Sequence, residues 1–329
     1  MEKAIYRSNL LKEEIKPDLL LDEYRNLVSE DIDLYFNLEN LIELPELRDA
    51  EHIFSKFGMN YCYLKESIGI FLSPRPTKEA LQAFYSKSKS RKFWFDKIFE
   101  KTHEVRNKKI ILPQLNWINS IIIQHLPQEH KKSVEINPSH WSYLEQSKNI
   151  DSLEYSFFEP LMDLSLLPAD LSNVKLYDNL EKNTFDIVFL FESLDRTYDP
   201  FRLIKDSINS LKKGGICFIT CLLSSGFEVK SLGKESDIFF PPEKMNLLSY
   251  EGLVGAINAT NSCDIIEFST PSLFDLDNVY SKLDLSNEKN FISYIMNERN
   301  DTNVKKSFRD FLQENQLGSF ARVAIKKIK

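Results

Sequence analysis

Between Phe185 and Thr220 the chain reads FDIVFLFESLDRTYDPFRLIKDSINSLKKGGICFIT, and no other stretch constrains its fold as tightly. Phe185–Phe191 is an unbroken apolar run, β-branched and aromatic, of the length that a strand buried on both faces needs. An acidic turn from Glu192 to Asp195 follows. Asp199 and Pro200 then supply an N-cap and a first-turn proline for a helix whose apolar residues Phe201, Ile204, Ile208 and Leu211 recur at helical spacing. Lys212 and Lys213 suit a helix C-terminus, Gly214 and Gly215 stop the helix, and residues 216–221 make the next buried strand. Two buried strands joined by a crossover helix are a βαβ unit, so the chain is predicted to be α/β, with a doubly wound, mostly parallel sheet.

The order of these parts resembles the second half of a class I S-adenosylmethionine-dependent methyltransferase, whose usual form is an FD strand, E-x-x-E-H, D-P, a helix, L-K-P-G-G and a strand. Here Arg196 stands where the family often has His, and Lys213 where it often has Pro. The resemblance continues through PPEKMNLLSYEGL, STPSLFDLDNV and FLQENQLGSFARVAIKK, and upstream in LSPRPTKEALQAFY, so that it covers roughly residues 60–329. These segments recur in a bacterial branch of the family that has an N-terminal PRP motif and a C-terminal helical insertion. The resemblance implies a seven-stranded Rossmann-like methyltransferase domain over 131–329, with an antiparallel last strand and a helical insertion at about 272–317. Residues 51–130 are then a small β-hairpin plus a helical cap region, and 1–50 an N-terminal helical segment with breaks at Pro17 and Pro45. That segment reads either as a lid or partner-binding piece or as a helical appendage packed on the main domain.

Composition excludes several classes. A formal net charge of −7 argues against a nucleic-acid binder, which would carry a basic face. No apolar run approaches a membrane span, the N-terminus has no signal-peptide core, and the cytoplasm is the expected compartment. The four cysteines, Cys62, Cys217, Cys221 and Cys263, form no paired framework. In the related family the hairpin before the PRP motif often holds zinc on two Cys-x-x-Cys knuckles. Here only Cys62 and the nearby His52 remain, too few ligands for a tetrahedral site, so no metal is expected. Apolar contacts among Phe54, Tyr61, Tyr63, Ile70 and Phe71 must hold the hairpin instead. Downstream, Thr77 caps a helix, and two long helices separated near Pro113 carry the stripes Phe93, Trp94, Ile98, Phe99 and Ile118, Ile121, Ile122, Leu126, which read as core. His103 and Arg106 lie near one face of this pair, where a substrate role is conceivable.

Nine glycines in 329 residues is a low count for a nucleotide-binding fold. The deficit falls on the cofactor loop. The first sheet strand, residues 133–136, leads into Glu135-Ile136-Asn137-Pro138-Ser139-His140-Trp141, where the family has an acidic residue followed by a G-x-G-x-G-like loop. Glu135 keeps the acidic position and every glycine is gone. Asn137 can take a left-handed conformation, and Ser139 can cap the helix 141–146. Pro138, His140 and Trp141 add stiffness and bulk where the donor would lie, which opposes the usual pose; a shifted loop with Trp141 stacked on adenine is the opposing case. By resemblance, Glu159 at the tip of the second strand would bind the ribose hydroxyls, Asp178 or Asn179 would reach the adenine edge after the third, and Glu192 and Ser193 would flank the donor after the fourth.

Methyl transfer from a sulfonium is an in-line displacement in which the protein positions the acceptor and takes its proton. The family's histidine base is replaced by Arg196, which does not deprotonate, and which either binds an acidic acceptor or pairs with Asp195. The family's P-P-x-H-L-N segment reads Pro241-Pro242-Glu243-Lys244-Met245-Asn246, so Lys244 holds a second histidine position while Asn246 matches and can orient an acceptor. Asp195, Arg196 and Lys244 are thus the catalytic candidates, and Arg196, Lys244 and Asn246 the substrate-binding ones. Asp275 and Asp277 resemble the family's L-D-V-D segment, with helix capping the better reading. Two functions stay open: S-adenosyl-L-methionine-dependent methylation of a small molecule or sugar-like intermediate, or a catalytically inactive methyltransferase-fold scaffold that binds a protein partner. A nicotinamide dehydrogenase has little support, because its fingerprint needs the missing glycines.

Overall fold

The computed structural model describes residues 17–65, 68–126, 130–272, 275–282 and 291–329. Helix Pro17–Tyr35 begins at its proline, where a missing N–H costs nothing. Its residues Val28 and Ile32, with Phe36 just beyond it, join a core shared with Phe84 of the Thr77-capped helix Lys78–Lys87. Residues 1–16 of the expected N-terminal segment lie outside the described residues. Pro45 opens a 3-10 turn, Pro45–Leu47.

Strands β1 (Glu51–Lys56), β2 (Met59–Leu64) and β3 (Gly69–Leu72) then form an antiparallel meander. The aromatic contacts expected of this hairpin are present, with Phe54 against Tyr61 at 5.3 Å between ring centroids. The unit is larger than a hairpin, however. A fourth strand from far downstream, Asn246–Leu248, pairs with β3 and completes the sheet. From Lys89 to His125 the chain is helical almost without interruption. The separation expected near Pro113 is a π-helical segment, Asn107–Ile111, after which Pro113 sits in the first turn of Leu112–His125.

The main sheet contains β4 (Lys131–Ile136), β5 (Ser156–Phe158), β6 (Lys175–Tyr177), β7 (Phe185–Phe191), β8 (Leu211–Leu222), β10 (Cys263–Ser269) and β11 (Phe320–Lys327), with Asn246–Leu248 counted as β9 in the smaller sheet. Its order is β10-β11-β8-β7-β4-β5-β6, and a short segment, Leu153–Glu154, adds to β4 before β5. From β8 to β6 all neighbours are parallel, and β11 runs antiparallel between β8 and β10. This is the doubly wound, seven-position Rossmann-like methyltransferase architecture. The pleat divides β7 between two cores: Val188 and Leu190 pack toward Ile204 and Ile208, while Ile187, Phe189 and Phe191 pack toward Leu115, Ile118 and Ile122.

One boundary differs from expectation. The helix ends at Ser210, and Leu211–Lys213 already belong to β8. Lys212 is drawn alongside β7 by Asp186, whose carboxylate accepts from Nζ at 2.9 and 3.0 Å. The register slips between Phe185↔Leu211 and Ile187↔Ile216, and Gly214 absorbs the slip at φ +83°.

The insertion between β10 and β11 comprises helix Asp275–Lys282, a helical stretch Phe291–Arg299 and helix Thr302–Glu314. Asp275 and Asp277 face away from the capping role expected of them. Asp275 Oδ2 accepts the Ser319 N–H at 2.8 Å, and Asp277 Oδ2 accepts from Arg309 Nη2 at 3.0 Å. Among the described residues no helix is long and apolar enough to cross a membrane.

Candidate functional site

The chain winds outward from β4 through β5 to β6, then returns to β7 and continues the other way. The carboxyl ends of β4 and β7 therefore flank the topological switch point, where open α/β sheets bind ligands. Here Asn137, Glu159 and Glu192, directly after β4, β5 and β7, all adopt left-handed backbone at φ +53°, +46° and +55°. Holding a non-glycine residue there costs on the order of 1 kcal/mol, and such strain gathers at functional edges. Asn137 takes the conformation expected of it. Its Nδ2 donates to the Glu159 carbonyl at 3.0 Å and its N–H to the Phe158 carbonyl at 2.9 Å, locking two strand tips together. Ser193 is fully buried, and its hydroxyl donates to the Ile136 carbonyl at 2.6 Å. It ties β7 to β4 across the switch point and presents nothing to a ligand.

The loop after Asn137 turns its bulk inward. Trp141 stacks on Phe95 with centroids 5.7 Å apart and meets Phe99 edge-on at 4.7 Å. His140 stacks on Tyr143 at 5.7 Å, and Tyr143 lies on Phe191 at 3.8 Å. Trp141 is thus engaged by protein rings on the side where adenine stacking was conceivable. Ser139 does not cap the following helix, Ser142–Gln146; the Ser142 N–H donates to His140 Nδ1 at 3.3 Å, and the Ser139 carbonyl accepts from Arg91 at 3.1 Å. Burial first, then the guanidiniums of Arg106 and Arg196, hold the His140 imidazole neutral. Glu135 is buried under this layer and accepts the Tyr155 hydroxyl at 2.7 Å. Burial pushes its carboxyl up to about 8, so at neutral pH it keeps its proton and sits in the sheet interior. Glu159 and Asp178, by contrast, are exposed.

The catalytic candidates converge on one ionic cluster. Lys244 Nζ donates to Glu192 Oε2 at 2.6 Å and to Asp195 Oδ2 at 2.8 Å. Arg196 does not pair with its neighbour Asp195; it reaches Glu192 at 3.5 Å and Glu243 at 3.9 Å, and Arg91 clasps Glu243 at 3.0 Å. Burial pushes the Asp195 carboxyl above its ordinary range while the adjacent Lys244 pulls the other way. Lys244 and Arg196 are cations committed to carboxylates, and neither stands as a base. Asn246 is equally committed: Nδ2 donates to the Leu194 and Thr197 carbonyls at 2.9 and 2.7 Å, and Oδ1 accepts from Arg75 at 3.0 Å. Its amide holds the turn after β7 in place. His103, for its part, lies 3.2 Å from Glu145.

Beyond Glu192 the same edge opens into a cavity of about 160 Å³, roofed by the insertion and walled by the start of β11. Gln114, Tyr143, Glu192, Glu228, Asp275 and Arg322 line it. Sequence reading singled out only Glu192 and Asp275 of these. Gln114 carried one usable signal, a polar residue inside an apolar helical stripe. Among the described residues no group of three or more His, Cys, Asp or Glu is placed to hold a metal. His52 and Cys62 face each other across β1 and β2.

No protein-family model and no curated protein matches the chain. Solved structures similar to it include the Haemonchus contortus phosphoethanolamine N-methyltransferase 2 in complex with S-adenosyl-L-methionine, at 15% identity and TM-score 0.44 over 79% of this chain and 63% of that one. An S-adenosylmethionine-dependent methyltransferase from Mesorhizobium loti matches at 11% identity and TM-score 0.39 over 63% and 96%. The cyclase SpnF matches at 12% and 0.39 over 64% and 80%. The strand order, not these figures, defines the fold class.

Proposed function

We propose that the chain is an S-adenosylmethionine-dependent methyltransferase acting on a small molecule. The observation that carries this reading is the division of the carboxyl edge into two compartments. On one side of the switch point stand the exposed carboxylates of Glu159 and Asp178, with the strained tip Asn137 between Glu159 and Glu192. On the other side lies a cavity of about 160 Å³, near the size that admits a benzene-sized molecule and far too small for the donor itself.

The fit to the donor is unequal along its length. Glu159 would hold the ribose hydroxyls through its carboxylate and Asp178 the adenine edge, whereas the 137–141 loop meets the remaining part with aromatic bulk. Bound there, the donor supplies an electrophilic methyl group. The chain's own residues would orient and shield: Lys244 and Arg196 fix Glu192 between the compartments, and the buried walls of the cavity keep water from the acceptor.

One observation favours the second reading, a non-catalytic scaffold binding a protein partner: both histidine positions of the related family hold cations that are spent on internal ion pairs. Calorimetric titration with S-adenosylmethionine and with its demethylated product separates the two. Micromolar binding, about −8 kcal/mol, supports the enzyme. Glu159→Ala should then weaken it by about 1–3 kcal/mol, the range for a charged hydrogen bond. No binding at millimolar ligand favours the scaffold, and unchanged affinity in Glu159→Ala removes the ribose role.

A further inference from the structure

We infer that the cavity between β11 and helix Asp275–Lys282 is a binding site for a small amino-acid-like zwitterion, its ammonium held by Asp275 and Glu228 and its carboxylate by Arg322 and Gln114. As the acceptor pocket of a methyltransferase this site rests on the reading above; as a zwitterion site it stands without it.

The argument is one of charge and of unused bonds. Of the carboxylates lining the cavity, Glu192 is taken by Lys244 at 2.6 Å, and Asp237 by Lys282 at 3.0 Å. Glu228 and Asp275 remain. They are 3% and 4% exposed, and their contacts are neutral donors: Ser236 and Asn278 to Glu228 at 2.6 and 2.7 Å, and the Ser319 N–H to Asp275 at 2.8 Å. No lysine or arginine among the described residues pairs with either. Two carboxyls buried side by side without a cation are costly unless a proton or a ligand cation joins them.

The opposite wall has the complementary need. Gln114 is completely buried, and neither its Oε1 nor its Nε2 has a hydrogen-bond partner among the described residues. Buried amides are nearly always bonded, so an orphan amide on a cavity wall marks where a polar ligand atom goes. Arg322 stands beside it, its guanidinium over the ring of Trp117 at 5.8 Å, one helical turn from Gln114, and its buried Nε also lacks a partner. A guanidinium and a primary amide together match a carboxylate. The lining therefore offers two carboxyls without a cation together with a guanidinium and an unbonded amide, in a space of amino-acid size.

Burial, with Glu228 adding to it and the Ser319 N–H opposing, pushes the Asp275 carboxyl up to about 7. The charged groups facing it are Glu228 from helix Phe227–Leu232, Arg322 from β11, Lys282 and Asp277 on its own helix, and Arg309 from helix Thr302–Glu314 bonded to Asp277; Lys109 lines the cavity on the helical cap. A ligand ammonium favours the ionised carboxyl, so affinity should rise from pH 6 to pH 8.

The test is titration of the full chain at pH 8, without S-adenosylmethionine, using glycine, β-alanine and 4-aminobutyrate, with ethanolamine and acetate as one-ended controls. At least one zwitterion should bind below about 1 mM, and each control at least tenfold more weakly. Asp275→Asn and Arg322→Gln should each cost tenfold or more. Gln114→Leu, which removes only an unbonded amide, should cost severalfold and serves if a charged variant fails to fold. Absence of binding by all three zwitterions at about 10 mM, equal binding of the controls, or full affinity in Gln114→Leu overturns the proposal. Because no donor is present, failure of S-adenosylmethionine binding leaves this result standing, and the reverse also holds.

Discussion

At the tips of β4, β5 and β7 the polar groups bond to one another, whereas across Glu192 the cavity walls hold an amide and a guanidinium nitrogen with no hydrogen-bond partner among the described residues. The first region is nearly finished: Asn137, Ser193, Lys244 and Asn246 spend their side chains on strand tips and turns, and beside them Arg196 keeps two nitrogens and Ser142 a hydroxyl without a hydrogen-bond partner among the described residues. The second is unfinished in the same chemical terms. The difference teaches that strand tips without loop glycines are held by their own side chains, while the cavity wall keeps an amide that bonds to nothing among the described residues.

The comparison breaks if the first region tolerates truncation. Lys244→Met strands Glu192 and Asp195 without their shared cation, and breaking a buried pair in this way costs about 3–5 kcal/mol. Urea denaturation should show that loss, and a change under 1 kcal/mol would mean, by the same ~3–5 kcal/mol standard, that the cluster is not structural. Trp141→Ala removes the ring that stacks on Phe95 and abuts Phe99, at about 3 kcal/mol. If calorimetry finds the variant as stable as the parent, the aromatic layer is not what fills the loop.

In the second region the opposite sign is expected. Gln114→Leu should be neutral or stabilise by up to about 1 kcal/mol, since a buried amide without partners is replaced by an apolar group of similar size. A loss of 2 kcal/mol, well outside that ~1 kcal/mol, would show that the amide is satisfied inside the protein. The last effect concerns pH. Glu135 keeps its proton up to about 8 when folded, against an unfolded value of about 4.3. The folded state therefore binds the extra proton, and the stability this confers is full below about pH 4.3 and is lost as pH rises through 8. Glu135→Gln should fall less in urea midpoint between pH 5 and pH 8 than the parent; parallel curves would place the proton elsewhere.

Local signals were legible in the sequence wherever the deciding contact is local. Asp199 and Thr77 cap the helices they precede, with the side chain of each accepting an N–H three residues on. The buried pair β7 and β8 follows from apolar runs and the order of elements, whereas the antiparallel β11 was implied by the resemblance alone. Illegible were the contacts set by distant chain. Asp195 and Arg196 look like partners because they are adjacent, yet neighbours on a helical turn point apart, and each finds its ion from elsewhere. Asn246 matches a motif position, but whether its amide faces a ligand or a turn depends on Arg75 and Thr197, which no spacing rule connects to it. Gln114 stands four residues before Ile118 of an apolar stripe, and spacing alone does not mark it, because orphaned hydrogen bonds are a property of three-dimensional surroundings.

The strand Asn246–Leu248 has a consequence in time. It is the outer partner of β3, and the Lys244 carbonyl just before it accepts the Tyr61 hydroxyl from 183 positions earlier in the chain. At a synthesis rate of about 5–20 residues per second, the meander β1–β3 waits on the order of 10–40 s with one edge unpaired before that strand is made. An open edge is an invitation to the wrong partner during that interval. The small sheet thus stays open until most of the chain is made although its first strands are among the earliest, and chaperone dependence of expression would be sensitive to Asn246→Pro well before the mature fold is.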